Sequence, residues 1–152
     1  MHPRGFPLKQ PVVLVLMITF IAVISFVVAS QQAKNEGAIT TTLTGTNEVG
    51  ALGDAQGAGI LRYTIKTQEQ QLCYELIVSN ISPASIASIN SGAAGSNGKV
   101  VLNLIAPANG GSQGCVSSKA DILVDIAANP SRYYINVMNT EFPNGAIRGQ
   151  LK

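Results

Sequence analysis

The sequence holds a single histidine, His2, no tryptophan, and only four phenylalanines and four tyrosines. With no imidazole beyond residue 2, there is no base for a Ser-His-Asp or Cys-His nucleophile. Charge is scarce as well, at 12% of residues. Arg4 and Lys9 supply the whole net charge of +2, because no acid precedes residue 30 and the remainder balances eight bases against eight acids. A neutral body with no basic run and few aromatics argues against nucleic-acid binding. The Gly-rich stretches 45–57 and 91–98 lack the spacings of phosphate-binding loops, and no strand-helix unit follows them. The loop acids Glu48, Asp54 and Glu141 are spread apart and do not form a calcium-loop pattern. These absences predict a protein that is not an enzyme and carries no cofactor.

What is present begins with residues 12–29, eighteen positions without a charge, preceded by Arg4 and Lys9. Their length falls between a signal-peptide core and a spanning helix. Val27-Val28-Ala29 is an imperfect small-residue cut site. Residues 1–30 are therefore expected to be a signal peptide or a hydrophobic anchor helix, touching the membrane through 12–29 if uncleaved. Both give the same topology, with the basic end inside and the domain extracytoplasmic. Residues 31–37 are polar and read as a linker, followed by a domain over 38–152.

Within 38–152 the period is two. Leu61, Tyr63 and Ile65 alternate with Ile60, Arg62 and Thr64. Leu72, Tyr74, Leu76 and Val78 alternate with Cys73, Glu75 and Ile77. Each pattern marks a strand with one buried face. Further strands are expected at 38–44, 84–90, 99–105, 132–138 and 146–151, and 106–114 reads as a Pro- and Gly-rich loop leading to Cys115. One helix is expected between Ser118 and Asn129-Pro130. Ser118-x-x-Asp121 would cap it and Pro would stop it. Asp121 and Asp125, four apart, read as a cap charge and a solvated face, or else as a carboxylate pair. About seven short strands and one short helix in roughly 115 residues predict an all-β antiparallel sandwich or barrel.

Two cysteines remain, Cys73 and Cys115. In an exported protein they are expected to bridge; the alternative is two separate thiols. The closing segment predicts a hairpin through Asn139–Gly145, with Tyr133, Ile135 and Val137 on one face and Tyr134, Asn136 and Met138 on the other. Arg148 and Gln150 lie opposite Ile147 and Leu151. Arg148 is expected to be structural, held by a carboxylate or by backbone carbonyls, with Glu75 a candidate partner.

Several motifs occur in order: Thr44-Gly-Thr-Asn-Glu-Val49, Leu72-Cys-Tyr-Glu-Leu76, Gly92-Ala-Ala-Gly-Ser-Asn-Gly98, Gly114-Cys-Val116, Asp125-Ile-Ala-Ala-Asn-Pro130, Tyr133-Tyr-Ile-Asn-Val137 and Phe142-Pro-Asn-Gly-Ala-Ile-Arg-Gly-Gln-Leu151. Together they resemble the CHRD domain, named from chordin, over nearly all of 38–152. The resemblance implies a Greek-key-like β-sandwich, superoxide-dismutase-like or immunoglobulin-like. It also implies protein interaction, including recognition of a secreted signalling protein, or copper binding in some bacterial members. The present sequence departs from the family at the histidines. Ser88-Ile89-Asn90 stands where His-Ile-His is usual, and Asn136-Val137-Met138 where Asn-Val-His is common. Ser and Asn are poor neutral ligands for copper or zinc, and Met138 alone is a soft thioether. No metal is expected, and an unknown protein partner is the favoured ligand.

Overall fold

The computed structural model describes residues 37–152, so the expected signal or anchor and nearly all of the linker lie outside the described residues. Every strand joins one antiparallel sheet. The strands are β1 (Ile39–Thr44), β2 (Ala58–Lys66), β3 (Gln71–Ser79), β4 (Ala84–Ser91), β5 (Val100–Leu104), β6 (Gly111–Ser117), β7 (Tyr133–Asn139) and β8 (Ile147–Gln150). One helix, α1 (Ala120–Ala128), separates β6 from β7.

The sheet order is β5-β4-β7-β8-β1-β2-β3-β6. Consecutive strands pair in β1-β2-β3, β4-β5 and β7-β8, and the short turn 67–70 joins β2 to β3. The β3–β6 and β4–β7 pairings need long returns, because other elements intervene in sequence. The sheet curls until its edges meet. At the seam, side chains replace a ladder: Ser112 Oγ donates to Ile105 O at 2.7 Å and Ile105 N donates to Tyr74 Oη at 2.8 Å. The result is a nearly closed barrel, not two separate sheets.

Alternation decides what fills it. Leu61 and Tyr63 of β2, Leu72, Tyr74, Leu76 and Val78 of β3, Ile135 and Val137 of β7, and Ile147 and Leu151 all join one buried core. The helix adds Leu123 and Ile126, both fully buried. Each such aliphatic residue contributes roughly 1.5–3 kcal/mol when taken from water. Gly149 is required where β8 is squeezed between β1 and β7, because a Cβ there would collide with Thr42 O.

Three expectations change. Residues 106–114 are not wholly loop: β6 begins at Gly111, making eight strands and placing Cys115 in a strand. Gly, Ser and Gln leave β6 no apolar alternation to read, and its pairing with β3 creates the strand. The helix starts later than predicted, with Lys119 at the N-cap position and no cap from the Ser118 hydroxyl. Asp121 instead accepts the N–H of its neighbour Ile122 at 2.9 Å. Asp125 is not merely solvated. It accepts from Asn129 at 2.7 Å, from Arg132 at 3.5 Å and from the Tyr133 hydroxyl, which ties α1 to β7. The Tyr133 hydrogen bond is the main reason its carboxyl lies below the ordinary range.

Cys73 and Cys115 are bonded. They face each other across the β3–β6 ladder, so the bridge fastens the edge strand to its neighbour.

Candidate functional site

The two vacated positions on β4 and the third on β7 do come together. Ser88 pairs with Asn136, Asn90 with Tyr134 and Ile86 with Met138. Ser88, Asn90 and Met138 therefore share the outward face of adjacent strands. That face is covered over Ser88, Asn90 and Asn136, while Met138 is half-buried and its partner Ile86 exposed. Ser88 is 0% exposed, Asn90 3% and Asn136 4%. Asn90 Nδ2 donates to Ser88 Oγ and to Ser88 O, both at 3.1 Å. The two residues that replace a His pair thus satisfy each other. No group of three or more His, Cys, Asp or Glu converges among the described residues.

Next to them, β8 contributes Arg148, which pairs with Asn136 on one side and Thr44 on the other. Arg148 is only 2% exposed, an unusual state for a permanent cation. Its guanidinium carbon lies 3.4 Å from the centroid of the Tyr134 ring, a cation–π stack. Nη2 donates to Ser96 O at 2.7 Å and Ala93 O at 3.2 Å, and Nη1 donates to Asn97 Oδ1 at 2.9 Å. Glu75 is not its partner. Glu75 bonds Arg62 at 3.1 Å on the neighbouring strand, where the ladder places the two directly opposite. Of the two holding modes predicted for Arg148, the carbonyls are the ones found.

Gln150, two residues on and on the same face, behaves alike. Its Nε2 reaches the carbonyls of Tyr133, Ser131 and Gly92 at 2.7, 2.8 and 3.0 Å. Loop 92–98 is thereby fastened onto β8. The Tyr134 hydroxyl accepts Gly98 N at 3.2 Å. A second loop, 45–49, is fastened to the same place. Asn47 Nδ2 donates to Arg148 O at 3.2 Å, and Asn97 Nδ2 donates to Val49 O at 2.9 Å.

The closing motif, the small-residue loop and the Thr44–Val49 motif are therefore one structure, converging on Arg148. No sequence separation reveals this, since Asn47 and Arg148 lie 101 residues apart. The protein belongs to the CHRD domain family. The family model matches residues 39–151, which takes in every element just described. No curated protein and no solved structure gives a match to it.

Between the two loops the CHRD domain has a cleft of about 360 Å³, lined by Thr46, Asn47, Glu48, Val49, Ala94, Gly95, Arg148 and Gln150. Glu48 is a residue that its sequence context marks as nothing more than a loop acid. Its carboxyl presses on the β7–β8 turn, where a Cβ on Gly145 would collide with it. Gly145 also has φ +142°, so glycine is needed there twice over. Burial drives the Glu48 pKa up from 4.5 to about 7, against the pull of Arg148. Glu48 Oε1 and Gln150 Oε1 are buried without a donor among the described residues. Asp54 and Glu141 do not join them. Asp54 Oδ1 accepts Gln56 N at 3.1 Å, and Glu141 accepts the Ser82 hydroxyl at 2.7 Å.

Proposed function

We propose that this protein is an exported, non-enzymatic CHRD domain with a structural or protein-binding role at the cell envelope or outside the cell. The observation that carries this reading is the covered Ser88–Asn90 pair on β4. Ser88 and Asn90 are buried and bonded to each other at the positions where family histidines would offer ligands. The Cys73–Cys115 bond supports export, because such bonds persist in oxidising compartments. The uncharged run 12–29 supports it from the sequence side. The domain is then a stapled barrel that presents loops, with recognition instead of turnover as its work.

Intact mass of the protein isolated from its native cells, with and without reductant and thiol label, tests the export arm. A cut near residue 29 or a retained anchor, with both cysteines protected until reduction, is expected. Free thiols in the native protein would refute it. Reproducible turnover of any substrate by the purified protein, surviving mutation controls, would refute the non-enzymatic arm. The copper- or zinc-binding alternative predicts stoichiometric uptake in equilibrium dialysis with metal analysis.

A further inference from the structure

The unusual feature of the cleft is a buried cation with no carboxylate in ion-pair contact; Glu48 feels its charge without reaching it. Arg148 has no carboxylate within 4.0 Å among the described residues, whose ion pairs are Arg62–Glu75, Lys66–Glu69 and Arg132–Asp125. Its three side-chain bonds go to neutral oxygens, and a guanidinium has five N–H donors. A buried charge without an opposite charge is costly, and proteins ordinarily supply one. Among the residues lining the cleft the one acid is Glu48, which does not form that ion pair.

We propose that the cleft between loops 45–49 and 92–98 is a binding site for a small carboxylate, with Arg148 as its cation. The volume of about 360 Å³ lies within the range of small-molecule sites, roughly 300–1,000 Å³. The walls supply room: Ala94 and Gly95 carry little or no side chain. Three of the five N–H donors of Arg148 are used by the loop, which leaves two for an anion, and stacking on Tyr134 fixes the guanidinium plane. Loop fastening and ligand binding are compatible, because the carbonyls hold the guanidinium in place before the anion arrives.

Glu48 then gates the site. Arg148 is the charged group that faces it from β8. Asp54, further along the same connection, turns its carboxylate to Gln56 N. The turn 142–146 and loop 92–98 carry no ionisable side chain. With Glu48 neutral, the cleft lining carries the single positive charge of Arg148. With Glu48 ionised, the lining is neutral overall and an incoming carboxylate meets a like charge. Carboxylates therefore bind the protonated form.

This goes beyond the role proposed above and does not depend on export, since it concerns the purified protein in any compartment. The test is a ¹⁵N–¹H titration of the full-length protein in a non-ionic detergent. The probes are acetate, succinate, N-acetyl dialanine with a free carboxylate, and the same peptide as its amide. At pH 6 the free carboxylates are expected to shift the amides of Ala94, Gly95 and Asn97 and the Arg148 Nε–H saturably, and the amide peptide is not. With Glu48 titrating at about 7, affinity is expected to fall about tenfold from pH 6 to pH 8, following the protonated fraction. Glu48→Gln is expected to bind with no such fall, and Arg148→Lys to lose at least about tenfold in affinity. Saturation by acetate and succinate assigns a free acid. Saturation by the peptide carboxylate alone assigns the terminal carboxylate of a peptide. No saturable shift with any probe at pH 6, an equal response to the amide, or a tenfold pH dependence surviving in Glu48→Gln would overturn the proposal.

Discussion

Replacing Glu48 by Gln is predicted to change how the stability of the domain depends on pH. Burial raises this carboxyl from 4.5 to about 7, so the folded state keeps a proton that the unfolded state releases. A raised folded pKa means that stability is full below about 4.5 and falls as pH rises to about 7, then levels. One pH unit of such a shift is worth about 1.36 kcal/mol, giving an upper bound of about 3.4 kcal/mol. Glu48 is half-buried, and solvent screening reduces the expected loss to roughly 1–2 kcal/mol. Gln is nearly the same shape and cannot ionise. The stability of Glu48→Gln relative to the native protein should therefore rise by about 1–2 kcal/mol between pH 4.5 and pH 8, or roughly 4–8 °C in Tm for a domain of this size. Urea or thermal unfolding of both proteins across that range, without reductant, measures the difference, and other titrating groups cancel in it. A ¹³C titration of the Glu48 carboxyl gives the inflection directly. Parallel stability curves, or an inflection near 4.5, would refute the reasoning.

Removing the bridge with Cys73→Ala and Cys115→Ala should destabilise the domain by about 3–4 kcal/mol, because the bond closes a separation of 42 residues; denaturant midpoints check this, and a loss below about 1 kcal/mol would count against it. Arg148→Met should cost about 2–4 kcal/mol, since the carbonyls of Ala93 and Ser96 and the Asn97 side chain lose their donor. Hydrogen exchange should then accelerate at Ser96 and Gly98 and remain slow in β2 and β3. Tyr133→Phe removes the leading cause of the lowered Asp125 pKa, so an NMR titration should show that carboxyl moving up toward the ordinary aspartate range. Gly145→Ala should destabilise, because its Cβ meets the Glu48 carboxyl; adding Glu48→Ala should recover part of the loss, and thermal unfolding of the single and double variants tests the coupling.

Strands with a clean period of two, β2, β3 and β7, are legible in the amino-acid order alone, because each buries one face and the alternation records which. The helix is legible from Ile122, Leu123 and Ile126 and the stop at Pro130, since helical spacing and a missing N–H are local properties. So is the shared face of Ser88 and Asn90, because strand pleat fixes direction. β6 is not, since its Gly, Ser and Gln carry no alternation and it exists through its pairing with β3. Nor is the burial of Ser88 and Asn90, since an outward-pointing residue looks the same in sequence whether solvent or another part of the fold lies over it. The Arg148 partners stay open for the same reason. A cation specifies what it needs, and only the curled sheet decides that loop carbonyls arrive before any carboxylate. Glu48 and Asn97 sit inside recognisable motifs, yet nothing local distinguishes a turn acid from a buried one. Tertiary closure sets the desolvation around Glu48 and brings it beside a cation 148 − 48 = 100 positions further along. The barrel thereby turns two ordinary loops and a closing strand into one cleft.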